Sequence, residues 1–146
     1  MMKKCLLFSF FVFTSIVVFA QLRINELMSN NVSAVMDEYY NYRMWVELYN
    51  MGETMENQGN YYFTDDLNQP KQWKPLSKDI PPKGFSVIWF EREGVEDEDV
   101  IGVEVDDMSG HSSFKLDPKG GTLYLLDENA NIVDRVDYPA QYRNVS

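Results

Sequence analysis

A chain of 146 residues with 23 acidic and 13 basic side chains carries a formal charge of −10, enough length for one domain and too much negative charge for a phosphate backbone. Its composition, 45% apolar and 14% aromatic, excludes a chain too polar to build a core. A single cysteine, Cys5, excludes a disulfide framework within the chain.

Met1-Met2-Lys3-Lys4 opens the sequence with positive charge, and residues 5–19 carry none. Val18-Phe19-Ala20 then sets β-branched and small residues three and one before Gln21. A basic start, an apolar middle and a small-residue cleavage site form the layout of a secretory signal peptide. The apolar run, about 15 residues, falls short of the roughly 20 that span a bilayer as a helix. Residues 1–20 are therefore expected to be a signal peptide, with residues 21–146 the exported domain. That domain is expected to be secreted or held at the cell surface, without stable membrane insertion after cleavage. Loss of Lys3 and Lys4 with the leader moves the formal charge from −10 to −12. A surface so acidic repels nucleic acid and anionic lipid head groups. Cleavage also removes Cys5, leaving no thiol nucleophile and no thiolate metal site.

The mature chain reads as strands. Leu22-Arg23-Ile24-Asn25-Glu26-Leu27 alternates, with Leu22, Ile24 and Glu26 opposing Arg23, Asn25 and Leu27. A long polar and aromatic connection, 28–43, leads to a second alternating run, Trp45-Val46-Glu47-Leu48-Tyr49-Asn50. There Leu48 and Asn50 share one face and Glu47 and Tyr49 the other. Short strands are expected at 54–58, 61–64 and 71–75, separated by turn formers such as Asp65-Asp66-Leu67-Asn68-Gln69-Pro70. The turn Ile80-Pro81-Pro82-Lys83-Gly84 feeds Phe85-Ser86-Val87-Ile88-Trp89-Phe90, whose Trp89, like Trp45, is expected in the core. After an acidic loop at 91–99, further strands are expected at 100–105, 114–116, 122–126 and 132–138. No stretch after Ala20 keeps helical periodicity for ten residues. Short strands broken by Gly, Pro, Asn and Asp indicate an all-β sandwich or barrel.

In this order the segments resemble the lamin tail domain family. The matching pieces are Ile24-Asn25-Glu26-Leu27, Trp45-Val46-Glu47-Leu48-Tyr49-Asn50, Tyr61-Tyr62-Phe63-Thr64-Asp65-Asp66, Trp73 and Ile80-Pro81-Pro82-Lys83-Gly84. They continue with Phe114-Lys115-Leu116, Gly120-Gly121-Thr122-Leu123-Tyr124-Leu125 and Val133-Asp134-Arg135-Val136. The resemblance implies an immunoglobulin-like β-sandwich. It further implies a secreted, non-catalytic module for adhesion, scaffolding or targeting, with a protein or cell-surface polysaccharide as partner. Bacterial members often accompany a CotH-like kinase fold, a nuclease or a phosphatase, so an accessory role beside an enzyme is a further expectation. The family pattern continues past Tyr138-Pro139-Ala140-Gln141 into another tryptophan-bearing strand, which implies a longer product.

Residues for catalysis are sparse. His111 is the one histidine, and no nucleophile elbow frames the serines. Glu26 and Glu47 could lie side by side on neighbouring strands, but backbone or arginine partners, or solvent, are the simpler destination for each. No catalytic residue and no bound cofactor is expected. One histidine and no mature cysteine make zinc an oddity, so calcium is the candidate metal, at Asp127, Asn129, Asn131 and Asp134, whose oxygens recur at nearly alternate positions. Ile132 occupies the place of an EF-hand glycine and Tyr138 that of its closing glutamate, so a hairpin turn is the competing account. For carbohydrate binding, Trp73, between Gln72 and Lys74, is the candidate stacking ring, with core packing as its alternative. Asn31-Val32-Ser33 and Asn144-Val145-Ser146 match the N-glycosylation sequon, which matters only in a host that reads it.

Overall fold

The computed structural model describes residues 21–38, 40–90, 111–112 and 114–146. The strand expected at 100–105, the acidic loop at 91–99 and the signal peptide lie outside the described residues. The described residues hold eight strands: β1 Leu22–Met28, β2 Met44–Asn50, β3 Glu56–Asn57, β4 Tyr62–Thr64, β5 Asp79–Ile80, β6 Phe85–Phe90, β7 Gly120–Leu126 and β8 Ile132–Pro139. They form two three-stranded sheets, β1-β2-β6 and β4-β7-β8, and a small pair, β3-β5, every pairing antiparallel. Among the described residues the only helical turn is a 3-10 turn at Gln58–Asn60, and no helix there is long and apolar enough to cross a membrane.

The inner faces of the two main sheets share one core. Leu22, Leu27, Val46, Leu48, Ile88 and Phe90 come from the first sheet, and Phe63, Leu123, Leu125 and Tyr138 from the second. Phe90 stands edge-on to Phe63 at 5.7 Å and to Phe114 at 5.2 Å between ring centres. Each fully buried side chain of this size stabilises the fold by about 1.5–3 kcal/mol. The all-β, antiparallel two-sheet architecture is consistent with a sandwich.

Strict alternation fails in β1. Its register against β2 shifts between Ile24 and Glu26, so Asn25 is an extra residue with no opposite number. The bulge returns Leu27, opposite Val46, to the core side with Leu22 and Ile24, and leaves Glu26 on the outer side. Two other expected strands are absent. Between Pro70 and Pro75 only Trp73 pairs, through two hydrogen bonds with Phe63 of 2.9 and 3.2 Å. Prolines at both ends deny the segment the donors of a longer ladder. Phe114 and Leu116 fill the core from a loop, which is held by Ser112 bridging to Phe90. The 54–58 segment shortens to β3 and passes directly into the 3-10 turn.

Asn50, completely buried, ties the β2 end to the turn before β6. Its side chain donates to the Thr54 carbonyl at 2.7 Å and the Ile80 carbonyl at 2.9 Å, and accepts from Gly52 N–H at 2.9 Å. At the other end of the molecule, Gln141 accepts from the Ser29 N–H and hydroxyl, and Asn144 accepts from the Val32 and Ser33 N–H groups. The last residues are thereby fastened to the 28–43 connection.

Candidate functional site

The outer face of β1-β2-β6 is where the described surface concentrates apolar and charged groups together. Cross-strand partners share a face, so the registers define three rows: Arg23–Tyr49–Phe85, Glu26–Glu47–Val87 and Met28–Trp45–Trp89. The third row is largely covered, Trp45 being only 7% exposed and Met28 5%. Trp45 is buried, as its apolar surroundings suggested, but on the outer side of its sheet, with half-buried Trp89 opposite it. The buried Trp45 indole N–H has no acceptor among the described residues. The first two rows are open, with Phe85 54% and Val87 39% exposed. Phe85 stacks on Tyr49 at 4.7 Å between ring centres and 26° between planes, giving a continuous aromatic plate.

The middle row places two carboxylates directly opposite one another. Glu47 Oε1 accepts from Asn25 Nδ2 at 2.7 Å, and Glu26 accepts from the Ser146 hydroxyl. Among the described residues neither carboxylate has a basic side chain within ion-pair distance. The expectation that Glu26 and Glu47 adjoin is met, while Arg23 and Arg43 do not neutralise them; Arg43 instead lies 3.6 Å from Asp37. Beside Val87 and Trp89 a cleft of about 380 Å³ opens, with Leu76, Lys78 and Gln58 on one bank and Glu38 of the 28–43 connection at its end.

The other candidates fall elsewhere. Asp127 caps its own hairpin: Oδ1 accepts from the Asn129 and Asn131 N–H groups at 2.8 Å each, and Oδ2 from Asn131 Nδ2 at 2.9 Å. The Asn131 amide, foremost, holds the Asp127 carboxyl below its ordinary range. Asp134 turns the other way and accepts from Ile24 N–H of the opposite sheet at 2.8 Å. Among the described residues no three His, Cys, Asp or Glu side chains gather to hold a metal. Trp73 packs on the core, 6.0 Å from Phe63 and 5.8 Å from Phe90 between ring centres, and remains partly exposed. His111 sits with its side chain buried, Nε2 4.0 Å from Asp37 and 3.8 Å from Glu38. It packs against the 28–43 connection, where Asn31 donates to the Val35 and Arg43 carbonyls while Tyr40 stands 83% exposed.

Sequence reasoning named Glu26 and Glu47 but missed the Tyr49–Phe85 plate. The only available signal was alternation, which puts Tyr49 with Glu47 on one side and Phe85 with Val87 on one side. No family model matches this chain, and no curated protein matches it.

Proposed function

We propose that this chain is an exported, non-catalytic binding module, an immunoglobulin-like sandwich of the lamin tail type behind a cleaved signal peptide. It works at the cell surface or outside the cell as an adhesion, scaffolding or targeting unit. The observation that supports this reading most directly is the open plate of Tyr49, Phe85 and Val87 on a rigid sheet. Large exposed apolar groups on an acidic surface are a feature of contact sites.

A protein partner is the first reading, and a polysaccharide the second, since the stacked rings offer a surface to a sugar face. The test is binding of the purified protein to its producing cells, with intact mass establishing whether the chain begins at Gln21. Binding that Phe85→Ser/Val87→Ser abolishes and protease treatment of the cells removes supports the protein reading. Binding that survives protease but not glycan oxidation supports the polysaccharide. Binding indifferent to the double substitution overturns the assignment of the face.

A further inference from the structure

We infer that the β1-β2-β6 outer face receives a basic, apolar-flanked segment of a partner protein, with a lysine or arginine seated over Glu26 and Glu47. The inference rests on the binding-module reading above and supplies the chemistry of the partner. Arg23, Glu26, Phe85 and Val87 are exposed in the first two rows of the face, and its apolar part is explicit: Phe85, Val87 and the ring of Tyr49 form an L around Glu47. Its charge is divided by row: exposed Arg23 lies in the row of Tyr49 and Phe85, and both carboxylates lie in the next. Glu26 and Glu47 are cross-strand partners, an arrangement that destabilises a sheet when both are ionised. Among the described residues only neutral donors, Asn25 Nδ2 and the Ser146 hydroxyl, reach them. A cation placed between them removes the repulsion and gains two acceptors, and Tyr49 beside Glu47 adds a ring face for the same cation. The alkyl stem of a lysine or arginine suits the adjoining apolar groups.

The same geometry argues against a second copy of this chain. A two-fold contact through this face would bring four carboxylates together on chains that are already strongly acidic. A neutral polysaccharide would use the rings but leave the carboxylate repulsion in place.

The test uses the purified protein and two synthetic peptides of the same length, one alternating lysine with valine, the other glutamine with valine. Backbone amide shifts locate binding, and a titration measures it. The lysine peptide is expected to bind at least tenfold more tightly than the glutamine peptide, to perturb Glu26, Glu47, Tyr49 and Val87, and to weaken as salt rises. Glu26→Gln/Glu47→Gln should cost tenfold or more. Asp65→Asn/Glu128→Gln, which removes the same charge from loops flanking the other sheet, should change little. Equal loss in both double variants would mean attraction by net charge alone and overturns the inference. So would equal binding of the two peptides, shifts of the same residues by a neutral oligosaccharide but not by the lysine peptide, or a dimer that buries the face. Cell binding abolished by Phe85→Ser/Val87→Ser yet untouched by Glu26→Gln/Glu47→Gln would retain the binding module and reject only the basic partner.

Discussion

Glu26 and Glu47 face each other across β1 and β2 because one extra residue, Asn25, interrupts the register just before them. The bulge turns a strand that would have hidden its carboxylate into one that displays it. Replacing Glu26 by lysine converts a like-charge pair into an opposite pair. Cross-strand pairs contribute roughly 0.2–1 kcal/mol, so Glu26→Lys is expected to raise Tm by a few degrees while abolishing lysine-peptide binding. Thermal unfolding beside the peptide titration checks both. A fall in Tm would show that the pair is not repulsive.

Asn50 is a fastener, and its removal is expected to be costly. Asn50→Leu keeps the branched shape but strands the Ile80 carbonyl and takes partners from Thr54 and Gly52. A loss of about 2–4 kcal/mol in denaturant unfolding, with unchanged m, is the expected outcome. The unchanged m would confirm that the native and unfolded ensembles keep their dimensions.

Trp73 and Phe85 should separate stability from binding. Trp73→Ala empties a place against Phe63 and Phe90 and is expected to cost about 3 kcal/mol. Phe85→Ser removes a ring that is mostly in solvent, so stability should change by less than about 1 kcal/mol while binding to the face is lost. Polysaccharide titrations should leave Trp73 emission unmoved.

The pH profile should fall at both ends. Burial, followed by the hydrogen bond to Glu56 at 2.8 Å, pushes the Tyr61 hydroxyl well above its ordinary value of 10.0. The folded chain then holds this proton more tightly than the unfolded chain. Its contribution is intact below pH 10 and is lost as pH climbs from there towards the folded value. Tyr61→Phe should flatten that alkaline limb in urea unfolding between about pH 9 and 11. At the acid end, Asp66 and Asp127 are held below the ordinary carboxylate range, chiefly by Asn68 N–H and the Asn131 amide. Their contributions are present above that range and disappear as pH falls through the folded values, so Asp127→Asn should blunt acid destabilisation.

The strands most legible in the sequence were those whose pattern and boundaries agreed. β2, β6, β7 and β8 all fell within a residue or two of their expected ends, because alternation and turn residues pointed the same way. The β1 bulge was illegible, since an unpaired residue is defined by the partner strand and not by its own neighbours. The side of the sheet that Trp45 and Trp89 take was illegible too, because Met44 to Val46 and Ile88 to Phe90 are apolar without interruption and an unbroken run hides it. Residues 71–75 had a strand's composition but lie behind Pro70, end on Pro75 and have a single partner. Of the candidate face, the carboxylates were visible as charged residues inside apolar strands. The Tyr49–Phe85 plate was not, because it depends on the register between strands separated by a long stretch of chain.

The fastening of the chain's end to the 28–43 connection bears on how the protein can be manufactured. Both sequon asparagines are already committed: Asn31 donates to the Val35 and Arg43 carbonyls and is 3% exposed, and Asn144 bonds Val32, Ser33 and the Ser33 hydroxyl. A glycosylating host would therefore have to attach its sugar before the chain folds. A glycan on Asn31 would then have no room in the finished molecule, and the product would be retained or degraded. Bacterial expression, or Asn31 and Asn144 shielded by Ser33→Ala and Ser146→Ala, is the route to homogeneous material.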